Sequence, residues 1–313
     1  MTLTQLQYLI SVDNHRHFAR AAEASFVTQP TLSMQIQKLE EELGVLLFDR
    51  SKHPVKPTSI GVKIIEQART VLNESHRINE ILQESKNQME GPFKLGVLPT
   101  ISPSLVPRFI RKFHEKFPKI QLQIQELRTE KIVELLRIDE LDAAIIATPL
   151  DEKGIIENPM YYEPFMGFIP ENHRLFNESF ITNSELDVDD ILLLNEGHCF
   201  RDSILNICNK KLKSGKKPVD LESGNFETLI KLSKKGFGMT LIPYLHAIDL
   251  AAEDQKYVKA IADPKPSREI SMIYTRAELK IKIIQELKSI IQSSIPEKLL
   301  SKDNEVVSPL KSA

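Results

Sequence analysis

Cysteine is scarce in this chain, and long apolar runs are absent. Cys199 and Cys208 are the only cysteines among 313 residues. No apolar run approaches the roughly 18 residues that a membrane-spanning helix needs, and Met1 to Gln5 lack the charged start and apolar run of a signal peptide. We therefore expect a cytoplasmic protein with no membrane partner. Thiols stay reduced there, so a permanent disulfide is not expected and a transient one stays open.

The chain also lacks an excess of charge of either sign. Its formal net charge is -2, and residues 1–90 carry 10 lysines and arginines against 11 aspartates and glutamates. No basic domain is visible from net charge, so any contact with nucleic acid must come from local clustering. The length predicts two or three domains, and a hydrophobic fraction of 41% is enough for their cores.

The two cysteines lie nine residues apart in the most informative stretch of the chain. We predict a short buried strand over residues 190–194, then a turn, then a helix over residues 200–212. Cys199 would lie at this strand-to-helix turn. A helix N-terminus and nearby cations, here His198 and Arg201, favour the reactive thiolate.

Helical spacing keeps the two thiols apart. Nine residues are about two and a half turns and a rise of roughly 13 Å, whereas a disulfide needs Cα atoms within about 7 Å. A disulfide would therefore require the helix to unravel, which outlines a redox switch. The alternative is a small buried apolar role. Cys208, between Ile207 and Asn209, fits that alternative, whereas Cys199 has polar and charged neighbours.

The first 45 residues predict a helix-turn-helix. An amphipathic helix is followed by a short alanine-rich helix from Phe18 to Ala24, and by a third helix that Thr28 caps and Gly44 ends. Small polar side chains at the start of the third helix can reach base edges in the major groove. The alternative is a three-helix core with solvated polar positions. The candidate DNA contacts are Thr28, Gln29, Pro30, Thr31, Ser33, Gln35 and Lys38.

A basic, proline-bounded segment follows over residues 48–57, and we expect it to form a loop or a short hairpin. Its prolines exclude a helix, and its charge suits a wing on the phosphate backbone, with Arg50 and Lys52 as candidate contacts. Thr58 then caps a long helix with apolar residues three and four apart, from Ile64 to Leu82. Such a stripe needs a partner helix. We therefore expect a homodimer with two reading heads for a two-fold site on double-stranded DNA.

From Phe93 the pattern alternates between strands and helices, which is typical of mostly parallel sheets with helices on both faces. Two sub-lobes are expected, with ligands bound between them at the carboxyl ends of strands. The expected domains are a winged helix-turn-helix DNA-binding domain (1–58), a linker and dimerisation helix (59–90), a regulatory domain (91–300) and a flexible tail (301–313). One sub-lobe would comprise residues 91–162 plus 268–300, and the other residues 163–267.

The pattern from Phe18 to Arg50, the long helix and the two-lobed part together resemble the LysR-type transcriptional regulators over nearly the whole chain. Gly197-His198-Cys199-Phe200-Arg201-Asp202 with the following Cys208 resembles the hydrogen-peroxide-sensing members of that family, as do residues 96–100 and 238–243. The resemblance implies an α/β protein with an N-terminal winged helix-turn-helix, a long linker/dimerisation helix, and a two-lobed α/β regulatory domain like a periplasmic binding protein.

The resemblance also implies roles. Peroxide would oxidise Cys199, and Cys208 would resolve the sulfenic acid to a disulfide, which changes how the oligomer contacts promoter DNA to control antioxidant genes. The implied partners are promoter DNA, a homodimer that assembles into a tetramer, RNA polymerase, and hydrogen peroxide as the signal. No cofactor, no metal ion and no enzymatic turnover are implied. The residues implied around the peroxide are Thr100, Thr129, His198, Arg201, Asp202 and Arg268.

Simpler roles stay open for these residues. The threonines can cap helices, His198 can make a structural hydrogen bond, and Arg201 with Asp202 can form an ordinary surface pair. Arg268 can be a solvated edge residue. The lysine-rich stretch over residues 209–220 departs most from the pattern of the family.

Two other functions stay open. A LysR-type regulator that binds a small metabolite between its lobes would carry its cysteines incidentally. A thiol peroxidase or a Cys-His hydrolase would need a substrate cleft, and its DNA-binding head would be unexplained.

Overall fold

The computed structural model of the chain describes residues 1–85, 89–208, 224–262, 264–275, 280–302 and 304–310. The chain folds as two compact units, Met1–Gln88 and Met89–Ala313. Within the described ranges, no helix is long and apolar enough to cross a membrane. The same ranges hold no group of His, Cys, Asp and Glu side chains arranged to bind a metal ion.

The first unit is a winged helix-turn-helix with a long final helix. Thr28 caps the third helix, because its hydroxyl accepts from the backbone N–H of Thr31, and Gly44 ends it in the left-handed conformation at φ 69°. The predicted cap at Thr28 and the predicted helix end at Gly44 are confirmed. The elements are α1 (Leu3–His15), α2 (Phe18–Ala24), α3 (Gln29–Leu43), β1 (Phe48–Asp49), β2 (Lys56–Pro57) and α4 (Ser59–Ser85).

The apolar stripe of α4 is buried in the first half of the helix and exposed to solvent at Ile78. Ile65, Ala68 and Leu72 are buried in the core of the first unit, and Arg69 forms a 3.0 Å ion pair with Asp13 of α1. The first half of α4 therefore packs within its own domain, which corrects the expectation of a stripe that lies wholly outside a compact domain. Ile78, further along, is 64% exposed. The Leu82 side chain lies outside what the structure describes.

The second unit alternates strands and helices. The predicted helix from Ser102 and the predicted strand over residues 268–274 are confirmed. The elements are β3 (Gly91–Val97), α5 (Ser102–Lys116), β4 (Ile120–Glu126), α6 (Thr129–Arg137), β5 (Ala143–Thr148), β6 (Ile155–Phe168), β7 (Phe180–Ile181), α7 (Cys199–Cys208), α8 (Phe226–Lys234), β8 (Thr240–Pro243), α9 (Tyr244–Ile248), β9 (Val258–Ile261), β10 (Pro266–Thr275), α10 (Ile281–Gln292) and β11 (Glu305–Val306).

The sheet is mixed rather than mostly parallel. Its strand order is β4-β3-β5-β10-β6-β9-β7, with β8 also on β6 and β11 on β10. Strands β4, β3 and β5 are parallel, as expected, but β10 pairs antiparallel with both β5 and β6. The long β6 adds further antiparallel pairs, because its first part pairs with β10 and its last part pairs with β8 and β9.

Two hydrophobic cores form along this sheet. The first is built around Phe93, Phe109 and Ile145 on β3, α5 and β5, and β10 and α10 close it. The second is built around Phe168 and Phe200 on β6 and α7, with α8, β8 and the end of β9. Each core belongs to one lobe, and β6 and β10 connect the lobes.

Two local predictions were wrong. Residues 190–194 do not form a strand. A 3-10 turn at Val188–Asp190 leads to a single bridge between Ile191 and Met239. The expected flexible tail is docked in part, because β11 pairs in parallel with the start of β10 at Pro266 and Ser267. The predicted continuation of the helix after Cys208, the lysine-rich stretch over residues 209–220 and residues 311–313 lie outside the described residues.

Candidate functional sites: a partly buried thiol and a candidate DNA-binding helix

Cys199 is the first residue of α7 and lies where the two cores meet. Its side chain packs against the first core, whereas Phe200 and Cys208 are buried in the second. Both cysteines are free thiols. They occupy the two ends of one uninterrupted helix, at an axial separation of roughly 13 Å. The thiols cannot bond while α7 is intact.

The turn before α7 depends on Gly197. Its φ of 84° is in the left-handed region, and a Cβ atom there would lie 2.7 Å from Nη1 of Arg128. Glycine therefore permits both the turn and the close approach of this arginine. As a result His198, which is buried, and Cys199 are both turned inward at the start of α7.

Burial raises the pKa of the Cys199 thiol above its ordinary value. The guanidinium of Arg268 and a hydrogen bond with the Thr129 hydroxyl oppose this rise, whereas the Asp202 carboxylate adds to it. We expected the helix start and nearby cations to favour the thiolate. The cost of removing the thiolate from water is larger than these favourable contributions, so the pKa rises.

Neither of the two neighbours expected to favour the thiolate, His198 and Arg201, is among the groups that shift the pKa of Cys199. Burial and the nearby Arg128 lower the pKa of His198, so its imidazole is neutral at pH 7. Arg201 donates from Nη1 to the backbone oxygen of Leu194, at 2.9 Å, and so ties α7 to the chain before it. The cation that acts on the thiol is Arg268, from a strand far away in sequence.

Arg268 is held in a buried hydrogen-bond network. Its Nε and Nη2 donate to Oε2 of Glu163, at 3.0 and 2.7 Å. Its Nη1 donates to Oγ1 of Thr100 at 3.2 Å, and Nη2 donates to the Thr100 carbonyl at 3.1 Å. The guanidinium also lies 5.2 Å from the ring centroid of Phe200. Arg268 is therefore not a solvated edge residue, and it joins Thr100 to the start of α7.

The structure thus brings together most of the residues proposed for this site. Thr129 is the first residue of α6 and does not cap it, because the N-cap residue is Arg128, and its hydroxyl makes a hydrogen bond with Cys199. Asp202 lies in the first turn of α7. Sequence reasoning missed Glu163. The available signal was its position as the only charged residue in the stretch 158–170, because a lone carboxylate in such a strand needs a buried partner.

The DNA-reading candidates lie on and around α3. The side chains at its start are open to solvent, whereas Ser33 and Gln35 are half-buried. The side-chain amide of Gln35 accepts from that of Gln5 on α1, at 3.3 Å, so Gln35 is partly committed inside the domain. The exposed candidates are Thr28, Gln29, Pro30, Thr31 and Lys38.

Arg50 and Lys52 differ in their surroundings. Arg50 pairs with the buried Glu40 at 2.8 Å and lies over the Phe18 ring, 4.9 Å from its centroid. Its Nη1 also donates to Ser33 at 3.3 Å, so Arg50 joins the wing to α3. Lys52 is more exposed and has a looser 3.6 Å contact with Asp49. Lys52 thus has the greater freedom to contact phosphate.

The comparisons with known proteins agree with this organisation. The model of the LysR substrate binding domain matches residues 86–295. The model of bacterial regulatory helix-turn-helix proteins of the lysR family matches residues 3–62. The chain belongs to the LysR family of bacterial transcription regulators, so it binds DNA through the winged helix-turn-helix.

Within that family the chain is similar to the regulators called OxyR. It is 35% identical over 274 residues to a hydrogen peroxide-inducible genes activator of Dickeya chrysanthemi, which covers 88% of this chain and 89% of the relative. It is 34% identical over 274 residues to the DNA-binding transcriptional dual regulator OxyR of Escherichia coli. This match covers 88% of this chain and 89% of the relative.

Two solved structures are also similar. A full-length OxyR variant from Pseudomonas aeruginosa has a TM-score of 0.77 and 36% identity, and covers 94% of this chain and 99% of that chain. A mutant OxyR of Corynebacterium glutamicum with hydrogen peroxide bound has a TM-score of 0.61 and 26% identity, and covers 95% of both chains.

Proposed function

We propose that this protein senses hydrogen peroxide through Cys199 and changes its contact with promoter DNA when Cys199 and Cys208 form a disulfide. The observation that carries the proposal is the position of the two thiols. One opens α7 within reach of Thr129 and Arg268, and the other ends the same helix in a different core. The names of the relatives, hydrogen peroxide-inducible genes activators, agree with it.

The chemistry balances without a cofactor. The Cys199 thiolate attacks one peroxide oxygen, the O–O bond breaks, and the departing hydroxide takes up a proton to leave as water, which gives a sulfenic acid. The Cys208 thiol then attacks the Cys199 sulfur, and a second water leaves as the disulfide forms. The two thiols supply the two electrons that reduce the peroxide.

The surrounding groups support these roles. Arg268 donates to the Thr100 oxygen, so the Thr100 hydroxyl can turn its own hydrogen toward a peroxide oxygen. Thr129 contacts the sulfur, and the guanidinium stabilises the thiolate. His198, neutral at pH 7, can accept or donate a hydrogen bond. Arg201 takes a different part in our proposal, since it anchors α7 to Leu194.

The remaining parts of the proposal concern assembly. The part of α4 around the exposed Ile78 pairs two chains. Two dimers form a tetramer on promoter DNA, where the oxidised form engages RNA polymerase. The protein works in the cytoplasm. It acts as a regulator rather than an enzyme, because each chain reduces one peroxide molecule and its two thiols are then held in a disulfide. In this proposal the DNA-binding domain comprises residues 1–58, the linker and dimerisation helix residues 59–90, and the regulatory domain residues 91–300.

One experiment tests the proposal. The thiol state and the DNA footprint are measured before and after one equivalent of hydrogen peroxide per chain. We expect one disulfide per chain and a changed footprint. A metabolite-responsive regulator would change neither, and a thiol peroxidase would consume many equivalents with a reductant present. Either result would contradict the proposal.

A further inference from the structure

The C-terminal segment, defined as residues 304–310, is docked onto α7. Nδ2 of Asn206 donates to the backbone oxygens of Ser308 and Leu310, at 2.9 and 2.8 Å. Ser203 adds a longer 3.5 Å hydrogen bond to the Ser308 oxygen. The side chain of Val307 packs against the second core. Asn206, together with Ser203, thus fastens a segment that lies about a hundred residues further along the chain.

The same segment is fixed from the other side by the sheet. The N–H of Glu305 donates to the Lys265 oxygen at 3.1 Å, and the N–H of Val307 donates to the Ser267 oxygen at 2.8 Å. Ser267 is fully buried and directly precedes Arg268, the cation of the thiol site. The C-terminal segment therefore bridges α7 to the strand that carries Arg268.

These contacts depend on an intact α7. Asn206 lies between Cys199 and Cys208, inside the loop that a disulfide would close. Closing it requires the two ends of α7 to approach from a Cα separation of roughly 13 Å to less than about 7 Å. The helical turns between them must then unwind, which moves Asn206 away from the Ser308 and Leu310 oxygens.

We propose that residues 304–310 form a latch that stabilises the reduced conformation and opens when Cys208 resolves the oxidised Cys199. The inference rests on the proposed function, because it concerns the second step of that chemistry. A contact made in only one of two states shifts the equilibrium between them by its own free energy. The latch therefore makes the disulfide harder to form and shifts the thiol–disulfide equilibrium toward the two thiols.

Two truncated chains test the latch. A chain that ends at Lys302 lacks the C-terminal segment, whereas the matched control ends at Leu310 and keeps every contact described above. For the shorter chain we expect the thiol–disulfide equilibrium with glutathione to favour the disulfide by about tenfold, or about 30 mV for two electrons. We expect the control to match the full chain. Equal potentials for all three would overturn the proposal.

A point substitution locates the effect. Asn206→Asp keeps the size of the side chain but removes both N–H donors, so it should also favour the disulfide. In the chain that ends at Lys302 the same substitution should add little, because the truncation has already removed the two backbone oxygens to which Asn206 donates. Fully additive effects would show that Asn206 acts by another route and would overturn the latch.

Hydrogen exchange on the full chain does not depend on whether any variant folds. In the reduced protein the amide of Val307 should be protected by its hydrogen bond to Ser267. After oxidation this protection and that of α7 should be lost together, while β3 stays protected. Continued protection of Val307 in the disulfide form would overturn the latch.

Failure of the latch and failure of peroxide sensing can be distinguished. Trapping of the Cys199 sulfenic acid with dimedone measures the first step, which the latch should leave unchanged in every chain. If no chain forms the sulfenic acid or the disulfide, the proposed function fails. If every chain forms the disulfide with the same potential, only the latch fails.

Discussion

Arg268 and Glu163 form a buried ion pair across neighbouring strands, with 2.7 Å between Nη2 and Oε2 and with side chains that are 2% and 1% exposed. Oε1 of Glu163 also accepts the backbone N–H of Leu245 at 2.8 Å. Removal of one partner of such a pair leaves a buried charge and costs roughly 3–5 kcal/mol. The pair therefore fixes Arg268, and through it the Thr100 hydroxyl, where β6 and β10 connect the lobes.

The first prediction separates the two cysteines. Cys199→Ser should abolish the peroxide response while folding and basal DNA binding persist, because the attacking sulfur is gone. Cys208→Ser should still form a sulfenic acid on Cys199, since only the resolving thiol is missing. Stopped-flow oxidation, dimedone trapping and footprinting measure these outcomes. An unchanged peroxide response in Cys199→Ser, or no adduct on Cys199 in Cys208→Ser, would contradict the assignment.

The second prediction follows from the raised pKa of the Cys199 thiol. Because the thiolate is the nucleophile, the rate of oxidation should rise about tenfold per pH unit between pH 6 and 8. Thr129→Val removes a hydrogen bond that lowers the pKa, so it should slow oxidation at pH 7, whereas the control Thr129→Ser keeps the hydroxyl. Rates measured by stopped flow decide the matter. A plateau below pH 8 would show that burial does not dominate.

The third prediction concerns stability at acid pH. Burial lowers the pKa of His173, His198 and His246 below the ordinary value. Below about pH 6.5 these histidines bind more protons in the unfolded chain than in the folded chain. The free energy of unfolding is therefore highest above about pH 6.5 and falls as the pH drops below it. Urea unfolding from pH 5 to 7.5 measures this slope. His246→Gln should flatten it, whereas a stability that rises toward pH 5 would contradict the sign.

The fourth prediction separates the two basic residues of the wing. Lys52→Ala should reduce the salt dependence of DNA binding by about one unit and leave the unfolding free energy almost unchanged. Arg50→Ala should weaken DNA binding on all sequences and also destabilise the domain by roughly 1–3 kcal/mol, because the buried Glu40 keeps the backbone N–H groups of Leu47 and Phe48 but loses its charged partner. Salt titrations and urea unfolding test both variants. A change in base preference for Lys52→Ala would contradict the phosphate contact.

Local chemistry explains why parts of this protein are predictable from sequence. The cap at Thr28, the left-handed end at Gly44 and the helix that begins at Cys199 each depend on a few adjacent residues. The spacing of the two cysteines sets their separation on α7, since helical geometry fixes the rise per residue. These features identify the helix-turn-helix and the redox-switch outline without a structure.

Tertiary structure determines the surroundings of the Cys199 thiol, which local sequence patterns do not specify. The pKa of Cys199 is raised because α7 packs between two cores, and the cation that opposes this rise, Arg268, comes from 69 residues further along the chain. Glu163 and the C-terminal segment reach the site through strand pairing with β10. Burial and charge at a site are sums over neighbours in space, and a linear pattern does not specify those neighbours. The sequence alone determined the helix-turn-helix and the spacing of the two thiols, and the packing of the sheet determined the environment in which the thiols react.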